Sequence, residues 1–121
     1  MNQKIQLIEK EVAKPGETVR ISEDLDKDYK HLTGIGILWT MGKRNILASS
    51  SVSGKDLFPK NFEVAFLQSN TYVAPNQRFY PLEEKAEGNK IEMDYKDGGF
   101  SKNYPYTLKI YLKLENRKRD E

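Results

Sequence analysis

The sequence predicts an all-β protein, an antiparallel β-sandwich with a jelly-roll-like arrangement of about eight short strands. The first observation is alternation: in residues 106–114 every second residue is aliphatic, the pattern of a strand with one face in a core and one in water. The second is that similar runs recur along the chain, with turn residues between them. The third is that nothing indicates the repeated β-α-β units of a parallel sheet.

The N-terminal half predicts a pair of strands, a polar stretch and a central strand. Residues 3–13 and 18–22 alternate around a turn at Pro15-Gly16, with Val19 and Ile21 pointing inward in the second run. Residues 23–30 are the most polar stretch and fit either one turn of helix or a loop. Residues 31–41 are apolar on both faces, as in a central strand, and their glycines suit a bulge or a close backbone approach.

The C-terminal half continues the pattern to the last strand. Residues 46–52 form a strand of small side chains. In residues 62–68 the alternation points Phe62, Val64 and Phe66 inward. Pro81 interrupts the run at 78–84 and makes it an edge or irregular strand. The remaining runs, at residues 91–96 and 106–114, alternate cleanly on either side of a glycine-rich loop.

Length, charge and the missing cysteines limit what the protein can be. With 121 residues and no dividing linker, residues 1–121 are predicted to form a single β-sandwich domain. A net charge of +2 is too small to predict a nucleic-acid partner. The absence of cysteine excludes disulfides, thiolate catalysis and cysteine-ligated metals. The N-terminus lacks the apolar core of a signal peptide, and no apolar run would span a membrane, so a cytoplasmic or virion location is expected.

The sequence offers no catalytic constellation. His31 is the only histidine, which excludes a multi-histidine metal centre and leaves a Ser/His/Asp triad without support. Glu63, Glu92 and Asp94 lie on outward strand positions, where a sandwich could hold glycosidase carboxylates. Ordinary surface charge on a half-buried sheet explains them better. We therefore predict a protein without enzymatic activity, cofactor or metal.

Aromatic residues supply the candidate binding positions. The loop at 98–106 begins with two glycines and carries three rings. Exposed rings of this kind stack on sugars or anchor protein interfaces, although rings folded back over the ends of the core are the alternative. The residues that we predict as interface or ligand-stacking positions are Phe100, Tyr104, Tyr106, Tyr111 and Trp39.

In general appearance, though in no motif that can be quoted, the chain resembles the small single-sandwich building blocks of virions and other large assemblies. That resemblance implies a non-enzymatic structural protein, a capsid, penton or decoration component whose partners are other protein subunits in self- or hetero-assembly. Alanine at Phe100 or Tyr104 should then weaken assembly and leave the fold intact. One alternative is a carbohydrate-binding module that stacks sugars on Trp39, Tyr72, Tyr80 or the loop at 100–106. The other is an adaptor domain that binds a peptide at an edge strand.

Overall fold

A computed structural model describes residues 2–38, 44–69, 79–99, 101 and 103–117. Within these residues the chain forms ten strands and one short 3-10 turn, and no α-helix. The strands are β1 (Asn2–Val12), β2 (Thr18–Asp24), β3 (His31–Leu38), β4 (Ile46–Val52), β5 (Lys55–Asp56), β6 (Phe62–Glu63), β7 (Gln68–Ser69), β8 (Tyr80–Lys85), β9 (Lys90–Lys96) and β10 (Tyr106–Asn116), and the 3-10 turn is Val64–Phe66.

The strands form two sheets with the topology of a jelly roll. Sheet I has the order β1-β10-β3, with β7 and β8 both pairing with β3. Sheet II has the order β2-β9-β4, with β5 and β6 both pairing with β4. The antiparallel pairs β1/β10, β2/β9, β3/β8 and β4/β5 join strands from the ends of the chain inward, as if one long hairpin were rolled up. This rolled hairpin is the double Greek key of a jelly roll and confirms the predicted fold class.

The core lies between the sheets and is built by alternation. On β10 the even-numbered residues from Leu108 to Leu114 are fully buried, whereas Tyr111 and the other odd-numbered residues face outward. On β9 the odd-numbered residues from Ile91 to Tyr95 fill the core from the opposite sheet. Each fully buried aliphatic side chain contributes about 1.5–3 kcal/mol relative to exposure, which fixes the phase of both strands.

The stretch at 62–68 differs from the predicted strand. Only Phe62 and Glu63 pair with β4, after which the chain makes a 3-10 turn in which the Leu67 N–H donates to the Val64 carbonyl at 2.8 Å. Val64 is buried as predicted, but Phe66 is 68% exposed. The prediction that Phe66 points inward is wrong because a period of three replaces the period of two where the chain crosses between the sheets.

The polar stretch at 23–30 is the end of β2 followed by a loop, with no helical turn. β2 continues to Asp24, and Leu25 then enters the core. The turn that follows is closed by the Asp28 N–H, which donates to the Asp26 carboxylate at 2.9 Å. A carboxylate that binds the backbone two residues later is a common turn device, and it takes the place of a helical turn here.

Gly34 shows why the central strand contains glycine. The pairing of β3 shifts by one residue next to Gly34, against β10 and against β8, so the predicted bulge is present. A Cβ atom at Gly34 would lie 2.8 Å from the Cβ of Phe79. The predicted close approach is therefore also present, and a side chain at this position would displace Phe79 from the outer face of the sheet.

Candidate functional site

The outer face of sheet I carries exposed aliphatic side chains on β1. Ile5 and Leu7 are 47% and 43% exposed. The register places Leu7 opposite Tyr111 and Ile5 opposite Lys113 on β10. Ile5, Leu7 and Tyr111 form what we call the apolar patch. Tyr111, one of the predicted contact residues, thus lies beside the two exposed aliphatic side chains of the strand.

A change of phase within β1 creates the apolar patch. Ile5 and Leu7 occupy odd positions, whereas Ile8 and Val12 occupy even positions and are buried. Since alternate residues of a strand point to opposite faces, one of the two sets must face outward. The pattern is visible in the sequence, but only the pairing with β10 shows which set is outside.

Next to the apolar patch, strand β3 in the middle of sheet I contains two glycines. Gly36 lies opposite Tyr111, and Gly34 lies opposite Lys113. Phe79 covers Gly34, and the Lys113 Nζ stands 6.0 Å from the centre of the Phe79 ring. Because Gly36 has no side chain, nothing on β3 stands directly beside the Tyr111 ring on this face.

β1 is also a long edge strand. It pairs with β10 in one unbroken register from Asn2 opposite Asn116 to Val12 opposite Tyr106. Among the described residues, no strand pairs with its other edge. A regular, unpaired edge of this length presents a row of backbone donors and acceptors to other chains.

On its inward side β1 is tied to the strand and loop of sheet II. The Lys4 ammonium lies 2.5 Å from the Asp26 carboxylate, and Lys10 lies 3.8 Å from Glu23. The Gln6 side-chain oxygen accepts from the Asp26 N–H at 3.1 Å. The hydrogen bond between Lys4 and Asp26 raises the pKa of the lysine and lowers that of the carboxyl. These contacts close one side of the sandwich with polar groups.

The outer face of sheet II is ionic and internally paired. Arg20 donates from Nη1 to both oxygens of Asp94, at 3.0 and 3.1 Å, and from Nη2 to Glu92 at 2.5 Å. Ser49 donates to Asp94 at 3.0 Å, and the carboxylate of Asp94 raises the pKa of Arg20. We call these four residues the ionic patch. Glu92 and Asp94, which the sequence allowed as glycosidase carboxylates, both bind the guanidinium of Arg20.

Tyr104 and Tyr106 surround a buried carboxylate. Asp97 is 1% exposed and accepts from both tyrosine hydroxyls at 2.6 Å. It also accepts from the N–H groups of Gly16 at 3.0 Å and Gly99 at 2.9 Å. Burial alone would raise the pKa of Asp97, but these four donors outweigh it and hold the pKa below its usual range. The carboxylate joins the turn before β2 to the loop before β10.

The same cluster connects the two sheets. The hydroxyl of Tyr95 on β9 lies 2.9 Å from that of Tyr106 on β10. Burial raises the pKa of Tyr95 to about 12, and burial together with the Asp97 charge raises that of Tyr106. Both tyrosines therefore stay protonated over the whole neutral range. Because Tyr104 also binds Asp97, its replacement by alanine is expected to disturb this end of the fold.

A second group of aromatic rings lies where the short edge strands of the two sheets meet. Phe58 stacks on Phe62 with 4.4 Å between ring centroids, and Tyr80 meets Phe58 edge-on at 5.6 Å. Phe66 completes this aromatic edge, 5.5 Å from Phe62. The Tyr80 ring is 39% exposed, so with Phe66 it leaves two rings of the group accessible to solvent. The sequence does not reveal the group, because Phe62 on β6 and Tyr80 on β8 belong to different sheets and meet only when the two sheets pack.

The predicted binding residues do not form one site. Trp39 and Phe100 lie outside the described residues. Tyr104 and Tyr106 lie together on Asp97, with 5.6 Å between their ring centroids. Tyr111 stands apart from them on the outer face of sheet I, in the apolar patch.

Across the described part of the chain, no group of three or more His, Cys, Asp or Glu side chains is arranged to hold a metal ion. The same residues contain no helix of the length and apolarity that crossing a membrane requires. Comparison with known proteins gives no protein-family model, no curated protein and no solved structure that matches the chain.

Proposed function

We propose that the chain is a non-enzymatic structural protein that assembles with protein subunits through the apolar patch of sheet I. The observation that carries the proposal is the exposure of Ile5 and Leu7 beside Tyr111, on a long strand whose outer edge pairs with no other described strand. Covering exposed aliphatic surface contributes about 25 cal/mol per Å², so a partner that covers the patch gains binding energy without new polar contacts.

The polar clusters support a structural role and not a catalytic one. In the ionic patch the carboxylates bind Arg20, and Asp97 already receives four hydrogen bonds. A catalytic carboxylate needs an oxygen that can reach a substrate, whereas both oxygens of Asp94 and of Asp97, and one oxygen of Glu92, accept hydrogen bonds within the chain. Their arrangement stabilises the sandwich and supports no particular reaction.

The jelly-roll topology supports the finer proposal that the assembly is a virion, in which the chain serves as a capsid, penton or decoration component. Jelly rolls recur in viral capsid domains, although the same fold also occurs in lectins and enzymes. This finer proposal therefore depends on an analogy of fold, whereas the assembly proposal depends on the patch itself.

Light scattering over a wide concentration range tests the assembly proposal. We expect a mass above the 14.0 kDa of one chain that rises with concentration. Leu7→Lys should lower it toward the monomer mass without changing the melting temperature, because Leu7 faces solvent. Ser22→Lys, at an exposed position on the edge strand of sheet II, is the matched control and should assemble normally. A strict monomer at every concentration would contradict self-assembly.

The aromatic edge supports a second candidate function, carbohydrate binding. Phe66 and Tyr80 offer exposed rings, and the Lys55–Glu84 ion pair, 3.6 Å apart, supplies polar groups on the neighbouring strands β5 and β8. Aromatic faces flanked by polar groups are suited to stacking on sugar rings. Calorimetric titration with a panel of oligosaccharides should show binding that Tyr80→Ala removes and Tyr111→Ala retains. No heat of binding with any member of the panel would eliminate this candidate.

A further inference from the structure

We infer that the partner of the apolar patch is a second copy of this chain, and that the two β1 strands pair antiparallel about a twofold axis at Gln6. The inference depends on the proposed assembly function and specifies its partner and geometry. Pairing of this kind joins the two copies of sheet I into one continuous sheet.

The first support is that β1 is the edge best suited to pairing. β5, β6 and β7 have two residues each, too few to template another strand. β8 contains Pro81, and its pairing with β3 is irregular. β2 is regular, but its outer face carries the Arg20 ion pairs. Of the edge strands that the structure describes, only β1 combines eleven residues, an unbroken register and exposed aliphatic side chains.

The second support is the register that the side chains select. Residues that lie opposite each other in an antiparallel pair point to the same face, so odd positions must face odd positions. With Gln6 on the axis, Ile5 of each copy faces Leu7 of the other. Gln3 then faces Glu9. The register therefore pairs aliphatic with aliphatic side chains twice and opposes no like charges.

Neighbouring registers fit less well. With Leu7 on the axis, Lys4 would face Lys10 and Ile5 would face Glu9, which opposes like charges and leaves an aliphatic side chain beside a carboxylate. With Ile5 on the axis, Leu7 would face Gln3 and lose its aliphatic partner. Like charges directly opposite each other destabilise a strand pair, so the register centred on Gln6 is favoured.

The third support is continuity across the axis. Tyr111 lies beside Leu7 on β10, so a stripe would run from Tyr111 through Leu7 to Ile5 of the second copy. On the other side of the paired strands, Lys4 and Lys10 already bind carboxylates of their own chain. In the register centred on Gln6, Lys4 faces Ile8 and Lys10 faces Asn2 of the other copy, so neither lysine lies opposite another charge.

Disulfide trapping tests this geometry, because the chain contains no cysteine of its own. Gln3→Cys and Glu9→Cys are exposed single substitutions that leave Ile5 and Leu7 in place. Mixed in equal amounts and treated with oxidised glutathione, whose disulfide is reduced to two thiols as the protein disulfide forms, they should form the mixed disulfide ~10-fold faster than either forms a self-linked dimer. In the proposed register position 3 faces position 9, whereas two copies of position 3 lie several residues apart, beyond the reach of a disulfide.

Two controls use the same chemistry. Gln3→Cys mixed with Glu11→Cys tests the register centred on Leu7, and Ser22→Cys tests random collisions at the exposed edge of sheet II. Both should cross-link at the slow background rate. The reduced variants should melt like wild type, because the four positions are exposed.

The outcomes separate this inference from the assembly proposal. Preferential linking of positions 3 and 9 supports it. A multimer that Leu7→Lys disrupts, but in which positions 3 and 9 link no faster than the controls, overturns the β1 pairing and leaves assembly through the patch intact. A wild-type chain that stays monomeric overturns both self-assembly and the second copy as partner, and leaves β1 to an extended segment of another protein.

Discussion

The outer faces of the two sheets are built from the same kind of alternating strand, yet they differ in whether their side chains contact partners within the chain. On sheet II, Arg20 binds Asp94 and Glu92, so the ionic patch is complete within one chain. On sheet I, Ile5 and Leu7 remain 47% and 43% exposed. The difference shows that two sheets of one fold class can have outer faces of unlike chemistry, and it is the basis for proposing that the interaction surface lies on sheet I.

The largest expected effect comes from comparing the two sides of β10. Leu112→Ala removes a fully buried side chain from the core and should cost about 2–5 kcal/mol of the free energy of unfolding in urea denaturation. Tyr111→Ala, one residue earlier on the outer face, should lower association and change stability much less. If Tyr111→Ala were as destabilising as Leu112→Ala, the outer face would have a structural role and the contrast with sheet II would fail.

Asp97→Asn tests how much the Asp97 carboxylate, which joins the turn before β2 to the loop before β10, contributes to the stability of the sandwich. The amide cannot accept all four hydrogen bonds, so we expect a loss of about 2–4 kcal/mol at pH 7. The lowered pKa of folded Asp97 means that this stability is complete above the ordinary carboxyl pKa of about 4 and is lost as pH falls through the lower folded value. The difference in the free energy of unfolding between wild type and variant should therefore shrink below about pH 4. Denaturation measured at a series of pH values checks this. If the stability difference stayed constant at acid pH, the contribution of Asp97 would not depend on its charge.

Tyr95→Phe tests the hydroxyl contact between the two sheets through the dependence of stability on alkaline pH. Loss of the hydroxyl contact with Tyr106 should cost about 1 kcal/mol at pH 7. Because the folded pKa of Tyr95 is raised to about 12, the unfolded chain loses this proton first, and wild-type stability falls as pH rises from about 10. The difference in the free energy of unfolding between wild type and Tyr95→Phe should therefore narrow between about pH 10 and about pH 12. A gap that widened would mean that the folded tyrosine ionises readily.

The smallest effect is expected on the ionic patch. Arg20→Gln removes exposed ion pairs, so the melting temperature should fall slightly, and less in high salt because salt already screens the pairs. The mass in light scattering should not change. A loss of assembly in Arg20→Gln would place contacts on sheet II as well and remove the distinction between the faces.

The features that could be predicted from the sequence are those set by residues that are close together along the chain. Alternation in β10 identified its buried face, and Pro81 marked β8 as an irregular strand. Alternation misjudged Phe66 because three residues of a 3-10 turn resemble a strand in sequence. Asp97 was not recognised as the centre of a cluster, since its partner Gly16 lies far away in the chain and meets it only when β2 pairs with β9. The apolar patch needed both the phase change in β1 and its pairing with β10.

The rolled-hairpin topology also has a kinetic consequence. β1 leaves the ribosome before the other described strands, and its only neighbour in the sheet, β10, leaves after them. Closing so long a loop is slow, so chains with such distant pairings fold in milliseconds to seconds. During synthesis Ile5, Leu7 and both edges of β1 remain uncovered, and a nascent chain can meet its neighbour on the same messenger before its own last strand has emerged.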